Sequence, residues 1–319
     1  MSDPALRAQL DHTLSETQLD ALGTRYRGKV RDVYRAGDRV FLVATDRLSA
    51  FDRVLTTIPF KGEVLNRLAQ FWFEKTAHVM RNHVLDVPDP NVTVARATQP
   101  FPIEVVVRGY LTGSLWRDVQ KGAHTVYGVP IPDGMRKDEA FPTPIVTPSS
   151  KAPQGEHDTP LSEVEILQRG LATEQEWGAI REAALGLFRE GQAWARTRGL
   201  FLVDTKYEFG KSGSTLYVID EMHTPDSSRY WRAAEYEARF RAGEDQAMLD
   251  KETVRQWLIR EKGFSGHGPL PVIPEEVRIR TAETYLSAYR EITGAPLPLV
   301  VGDVEPRIKK NLTTHGYLA

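Results

Sequence analysis

The chain has 319 residues, 41 Lys plus Arg against 43 Asp plus Glu, a formal net charge of −2, 41% apolar residues and no cysteine. That length gives a prior of about two domains and material for a large core. The charge balance excludes a polycation that grips nucleic acid in bulk, while leaving room for a local basic pocket, and the missing cysteine excludes disulfide scaffolds, Cys-zinc sites and thiol nucleophiles.

Met1-Ser2-Asp3-Pro4 is not the start of a secretory leader, and no stretch nears the roughly 18 apolar residues of a membrane span, so a cytoplasmic protein that engages no membrane is expected. A short acidic helix is predicted near residues 15–22. Residues 29–34 and 40–44, with the turn Gly37-Asp38 between them, read as a β-hairpin. The periodicity over residues 63–80 predicts a helix. Two strands follow at 92–95 and 103–107, and Gln99-Pro100-Phe101-Pro102 reads as a linker between two lobes. Residues 128–160, rich in Pro, Gly and Ser, read as a long functional loop. Residues 161–198 are helical in pattern, with the main helix at 174–198. Strands at 200–209 and 216–222 flank the turn Gly210-Lys211-Ser212-Gly213, and a mostly helical tail from Ser228 has helices at 253–261 and 275–293.

The chemistry concentrates in a few places. Asp204, Lys206 and Glu208 alternate on one strand face, and hairpin pairing can bring Asp220 opposite or diagonal to Glu208. Two carboxylates roughly 4 Å apart repel by about 4 kcal/mol at an effective dielectric near 20. A shared proton, Lys206 or a metal ion must offset that, and hard oxygen donors without His or Cys suit magnesium shared with substrate phosphates. A solvated face paired with Lys206 is the alternative. Arg108 ends an apolar strand before a Gly-flanked turn bearing Thr112 and Ser114, a pattern that suits a phosphate or a plain tight turn. Asp226, Ser227 and Ser228, ahead of Arg229, either cap a following helix or form an anion site at its start. Lys29 and Arg31, on one strand face after Gly28, suit nucleotide phosphates or the guarding of an edge strand. His157, in a polar loop, is not nominated as a base. Gly210-Lys211-Ser212 is not a P-loop, because Thr205 stands where its first glycine belongs and a hairpin follows. This inventory suits phosphate handling by position and charge rather than covalent catalysis.

Six segments, taken in order, resemble the phosphoribosylaminoimidazole-succinocarboxamide synthase (SAICAR synthetase) family. They are Gly28-Lys29-Val30-Arg31-Asp32-Val33-Tyr34, Thr45-Asp46-Arg47-Leu48-Ser49-Ala50-Phe51-Asp52, Val107-Arg108-Gly109-Tyr110-Leu111-Thr112-Gly113-Ser114, Gln154-Gly155-Glu156-His157-Asp158, Val203-Asp204-Thr205-Lys206-Tyr207-Glu208-Phe209-Gly210, and Asp220-Glu221 with Thr224-Pro225-Asp226-Ser227-Ser228-Arg229. The resemblance implies an α+β, two-lobed, ATP-grasp/kinase-like architecture with the active site in a cleft between the lobes. An ATP-binding, mostly β-sheet lobe would occupy residues 1–100. A larger α/β lobe with the substrate and metal site would occupy 101–319, ending in a helical extension from about residue 232. The implied reaction joins L-aspartate to carboxyaminoimidazole ribotide and converts ATP to ADP and phosphate.

By the same resemblance Lys29, Arg31, Lys206 and Asp220 belong to the catalytic machinery. Gly28, Lys29, Val30, Arg31 and Lys151 would bind ATP. Arg108, Ser114, Lys206, Asp158, Asp226, Ser227, Ser228 and Arg229 would bind substrate, and Glu208 and Asp220 would hold Mg2+. Lys151 and Asp158 match a loop that closes over the site. A small-molecule kinase on a related scaffold is the rival reading.

Overall fold

A computed structural model describes residues 3–51, 53–151, 158–249 and 252–319. Along the chain the elements are α1 (Pro4–Ala8), β1 (Thr24–Arg27), β2 (Arg31–Ala36), β3 (Arg39–Ala44), β4 (Arg47–Ala50), β5 (Arg53–Thr57), α2 (Lys61–Lys75), β6 (Val84–Asp89), β7 (Val92–Arg96) and β8 (Gln99–Tyr110). Then come α3 (Gly113–Gln120), β9 (Thr125–Val126), β10 (Val129–Pro130), β11 (Ala140–Ser150), α4 (Glu163–Gln168), α5 (Glu174–Thr197), β12 (Leu200–Ser212), β13 (Thr215–Ile219), β14 (Ser228–Arg232), α6 (Ala233–Ala242), α7 (Glu252–Lys262), α8 (Glu275–Thr293) and α9 (Val304–Thr314). The chain divides into two units. The first comprises Met1–Phe73, His83–Ala97 and Leu249–Ala319, and the second comprises Glu74–Asn82 and Thr98–Met248. Among the described residues no helix is long and apolar enough to cross a membrane.

The first unit is built on an antiparallel sheet ordered β1-β2-β3-β7-β6. The predicted hairpin is β2–β3, closed at Gly37 in the left-handed region. β3 is apolar on both faces because both faces are covered. Phe41 and Val43 join Tyr34, Val92 and Val94 against Val304, Ile308 and Leu312 of α9, while Val40 and Leu42 pack with Ala95 on the other side. The helix expected at residues 15–22 reduces to a single 3-10 turn, Asp20–Leu22. The Thr17 N–H and hydroxyl donate to the buried Asp32 carboxylate at 2.7 and 3.1 Å, which ties this stretch across the sheet instead of letting it coil.

Helices α7, α8 and α9 belong with this first unit, not with the second lobe as expected, while α6 stays with the second. The reason is side-chain chemistry as well as the apolar face of α9. Arg307 donates to both Asp89 carboxylate oxygens at 3.2 Å, to the Asn91 side-chain oxygen at 2.5 Å and to Glu63 at 3.4 Å. Asp89 and Glu63 are buried, so the guanidinium neutralises charge that water does not reach.

The second unit centres on a sheet ordered β11-β8-β12-β13, with β14 also paired to β12. α5, opened by a Thr173/Glu176 capping box, packs against β12 and β8. Three expectations change here. Pro100 and Pro102 lie inside β8 rather than in a linker, and the units divide at Ala97 and Thr98. β8 tolerates these prolines where its ladder with β12 is irregular, between the Glu208–Glu104 and Gly210–Pro100 pairs, because a bulge does not need the N–H that proline lacks. Residues 128–160 are not one loop, since β11 occupies Ala140–Ser150. Ser228 opens a strand, not a helix: Tyr230 and Trp231 favour extended backbone, and β14 pairs with Leu200–Thr205 of β12. Trp231 then completes an aromatic cluster with Tyr110 and Tyr236 around Val203.

Replacing Arg307 with Met is expected to lower unfolding stability at neutral pH by about 3 kcal/mol, read from urea titrations, because it strands buried carboxylates. A loss within about 0.5 kcal/mol, the range of an ordinary surface change, would contradict this account of how α9 is held.

Candidate functional site

The site is written along β12. Asp204, Lys206 and Glu208 alternate toward one face, and β8 sets Arg108, Val106 and Glu104 directly opposite them. The partner facing Glu208 is therefore a second carboxylate, Glu104, and like charges in register destabilise a sheet. Lys206 resolves the conflict. Its ammonium donates to Glu104 at 2.6 Å and to Glu208 at 3.0 Å, and Lys151 from the end of β11 closes on the other Glu208 oxygen. Burial favours the neutral acid at Glu208, but Lys206 and Lys151 outweigh it and hold the pKa down at about 2, from an ordinary 4.5. Burial prevails at Glu104, whose pKa is raised despite Lys206. Lys206 moves upward. Burial opposes that shift, and Glu208, Glu104 and Asp220 together override it.

Asp220 reaches this group by breaking strand geometry. β13 ends at Ile219, the residue paired with Glu208, so simple alternation would turn the next side chain away. Asp220 sits in the left-handed region at φ 66°, and its charge raises the pKa of both Lys206 and Lys151. Asp is one of the few residues whose short polar side chain tolerates that conformation. Asp158 is exposed and adds to the negative field on Glu104. His157 and the Gln154-Gly155-Glu156 stretch lie outside the described residues.

Further along the same strands sits a pair of guanidiniums. Arg108 is buried, donates from Nε to the Thr147 hydroxyl at 2.8 Å, reaches the Ser114 hydroxyl at 3.5 Å and stands 3.6 Å from Asp204. Arg229, opposite Asp204 on β14, pairs with the same carboxylate oxygen. Two cations sharing one buried anion leave a net positive charge, as an anion site needs. Gly113, at φ +62°, lets α3 start against this pair, since a Cβ there would lie 2.6 Å from the Arg229 guanidinium.

The remaining predicted residues are placed as follows. Ser227 lies in a turn, its N–H bonded to the Thr224 carbonyl at 3.1 Å and its own carbonyl accepting from the Lys206 N–H at 2.9 Å. Ser228 donates to the Thr205 hydroxyl at 2.7 Å, and Asp226 is half-buried just before them. With β14 following, neither the helix-cap reading nor a helix-start anion site survives. Lys29 is exposed in the turn between β1 and β2, not on a strand, because pairing stops at Arg27 and Asp32 and the Gly28 N–H closes the turn onto the Arg31 carbonyl at 2.8 Å. Arg31 opens β2, half-buried. These residues belong to the first unit, whereas the β12 group belongs to the second. Glu104 and Thr147 were missed. The signal for Glu104 was a lone carboxylate in the apolar run Ile103-Glu104-Val105; Thr147 offered none.

The donor set fits one kind of metal. Among the described residues no group of three or more His, Cys, Asp or Glu side chains could hold an ion alone. What the site offers is the hard oxygens of Glu208 and Asp220, with ammonium groups now meeting the negative charge. That suits magnesium, which takes one or two carboxylates and fills its shell with water and substrate phosphates.

Such a surface, with carboxylates and a lysine alternating on one strand beside paired arginines, is suited to anionic ligands held by charge and position, on an α+β fold. The comparisons with known proteins make this specific. Residues 24–267 match the sequence profile of SAICAR synthetase. The phosphoribosylaminoimidazole-succinocarboxamide synthase of Bacteroides thetaiotaomicron is 44% identical over 94% of this chain and 97% of its own, and that of Legionella pneumophila is 44% identical over 88% and 91%. The SAICAR synthase structure of Saccharomyces cerevisiae, complexed with SAICAR, superposes with a TM-score of 0.79 at 32% identity, covering 89% of this chain and 99% of that one. The chain belongs to the SAICAR synthetase family.

The depressed pKa of Glu208 carries a signed prediction. The charged form is favoured in the fold, so its stabilisation is complete above about pH 4.5 and drains away as pH falls toward 2. Glu208→Gln is expected to be less stable than the parent at pH 7, with the gap shrinking between pH 4.5 and 3 in denaturant titrations. A gap that widens in acid would contradict the Lys206–Glu208–Lys151 arrangement.

Proposed function

We propose that this chain joins L-aspartate to the carboxylate of 5-amino-1-(5-phosphoribosyl)imidazole-4-carboxylate, converting ATP to ADP and phosphate and yielding the succinocarboxamide SAICAR of de novo purine biosynthesis. Family membership supports the activity. The observation that carries the site reading is the Lys206 ammonium shared between Glu104 and Glu208, with Lys151 and Asp220 around it. The proposed place of action is the cytoplasm, and the partners are small molecules.

A carboxylate acylates poorly because its leaving group would be oxide. Transfer of the γ-phosphoryl group of ATP to a carboxylate oxygen forms an O–P bond, releases ADP and leaves an acyl phosphate. The aspartate amine then attacks the carbonyl carbon, the C–N bond forms, phosphate departs and the amine loses a proton. All the reactants are anions, so the first task of the protein is to bring negative charges together. Glu208 and Asp220 would hold Mg2+, which when bound would draw charge from the phosphate oxygens during transfer.

Lys206 and Lys151 add fixed positive charge, Lys206 toward the transferring group and Lys151 toward ATP. In the other unit, Gly28, Lys29, Val30 and Arg31 are assigned to ATP phosphates, with backbone amides and two cations as the means. Arg108, Arg229 and the Ser114 hydroxyl suit the ribotide phosphate, a dianion matched to paired guanidiniums. Asp158, Asp226, Ser227 and Ser228 are assigned to substrate at the margin. Ser228 acts there through its backbone or by giving up its bond to Thr205. Positioning two substrates against the nucleotide is worth several kcal/mol without any enzyme nucleophile.

The test is ADP release in a coupled assay with aspartate and the ribotide each omitted in turn. Multiple-turnover release is expected only when both are present; sustained release without aspartate but with another acceptor would favour a small-molecule kinase. Glu208→Gln and Asp220→Asn are expected to cut kcat by about 10²-fold or more while staying folded at neutral pH. Near-normal turnover in both would remove the metal assignment. Arg108→Ala and Arg229→Ala are expected to raise the ribotide KM by about tenfold or more with smaller effects on ATP. An unchanged ribotide KM in both would take them out of the phosphate site.

A further inference from the structure

The segment Thr45-Asp46-Arg47 has no part in the reaction as derived, yet it makes an unusual set of contacts. Arg47 is 1% exposed and is paired at 2.8 Å with Asp32, itself fully buried. The rest of the guanidinium is spent on backbone. Nη2 donates to the Gly28 carbonyl at 3.0 Å, Nε to the Lys29 carbonyl at 3.2 Å and Nη1 to the Ser15 carbonyl at 2.5 Å. Thr45 takes the next carbonyl in line: its N–H and its hydroxyl donate to Val30 at 3.0 and 2.8 Å. Three consecutive carbonyl oxygens, of residues 28, 29 and 30, are thus drawn toward one short segment.

A planar trans peptide points its N–H opposite to its C=O. Holding the Gly28 and Lys29 carbonyls therefore aims the amides of Lys29 and Val30 away from Arg47, as two successive backbone dipoles, and Thr45 by its hold on the Val30 carbonyl turns the Arg31 amide away from itself. Successive amides so aligned make a concavity suited to a phosphate oxygen. We propose that Arg47 is a positioning residue for the residue 28–30 turn, acting on ATP affinity through these peptide planes without touching the nucleotide. This rests on the reading that the turn takes ATP phosphates.

A fork of donors in a fixed plane is needed to reach two successive carbonyls, Ser15 and Asp32 together, and an ammonium cannot reproduce it. Asp32 completes the clamp from behind, one oxygen on Arg47 and the other accepting the N–H and hydroxyl of Thr17.

The experiment uses the full-length chain, with the Kd of MgATP from calorimetry measured beside the KM of each substrate. Arg47→Lys is expected to weaken MgATP binding and raise the ATP KM by about tenfold, leaving the aspartate and ribotide KM values and kcat within about twofold. Thr45→Val removes the hydroxyl's bond to the Val30 carbonyl and its longer one from the Arg47 N–H, and leaves the buried ion pair in place, so a shift of about threefold in the same direction is expected. If Arg47→Lys does not fold, by far-UV circular dichroism, Thr45→Val carries the test alone. A positioning role also requires non-additivity. On a Lys29→Ala background each of these substitutions should add little further loss of ATP affinity.

An unchanged ATP affinity in the folded variants overturns the proposal. So does a parallel rise in all three KM values, which marks a general structural effect, or full additivity with Lys29→Ala. A parent chain that binds MgATP but does not join aspartate overturns the ligase reading alone, and the cycle is then read on Kd. A parent chain that binds no MgATP overturns both.

Discussion

Glu104, half-buried, and Glu208, buried, face each other across neighbouring strands, and the Lys206 ammonium between them lets the sheet close there. Much else in the second unit follows from that placement. β12 must carry a cation two residues before a carboxylate on one face, β8 must present a carboxylate in register, and a second cation, Lys151, must come from β11 to meet the outer oxygen of Glu208. A buried ion pair of this kind is a poor way to gain stability, because desolvation consumes most of the Coulomb attraction. It is a good way to keep charge fixed, desolvated and ready for anionic reactants.

The arginine pair follows the same logic with the sign reversed. Asp204 is to Arg108 and Arg229 what Lys206 is to Glu104 and Glu208: one charge keeping two opposite ones together. Alternation along β12 therefore sets a surplus of positive charge at one end of a face and of negative charge at the other. A phosphate dianion and a divalent cation are the natural complements of those two ends, and both can be served by one rigid strand rather than by mobile loops.

The parts of this arrangement that depend on spacing were legible in the sequence. The alternation Asp204-Lys206-Glu208, the β2–β3 hairpin and the helix at α5 follow from period-2 and period-3.6 patterns that one strand or helix imposes on itself. The parts that depend on a distant partner were not. Glu104 looks like a stray charge until β8 and β12 are paired, and Thr147 is one threonine among many until Arg108 points at it. Ser228 and its neighbours have the composition of a helix start, and only the open edge of β12 makes that segment a strand. Pro100 and Pro102 punctuate the sequence as a linker would, but the register shift of β8 against β12 beside them lets them stay in a sheet. α9 reads as a C-terminal appendage of what precedes it, whereas Arg307 and three apolar side chains bind it to residues more than two hundred positions earlier.

The turn after β13 shows how the strand that lines the site also supports it. Asp220 and His223 both adopt left-handed backbone, at φ 66° and 55°, and non-glycine residues held there cost of order 1–3 kcal/mol each. The other face of β12 supplies the restraint. Tyr207, between Lys206 and Glu208 in sequence and facing the opposite way, meets His223 Nε2 at 2.5 Å, and Tyr230 of β14 donates to the His223 carbonyl at 2.8 Å. Thr224 donates to Glu221 at 2.7 Å, and the Lys206 N–H ties down the Ser227 carbonyl. Burial pushes the His223 pKa down to about 3, so the ring is neutral throughout the working range and this anchor does not loosen with modest acidification. Strain at Asp220 is thereby sustained by contacts on the other side of the sheet, while its negative charge acts on Lys206 and Lys151.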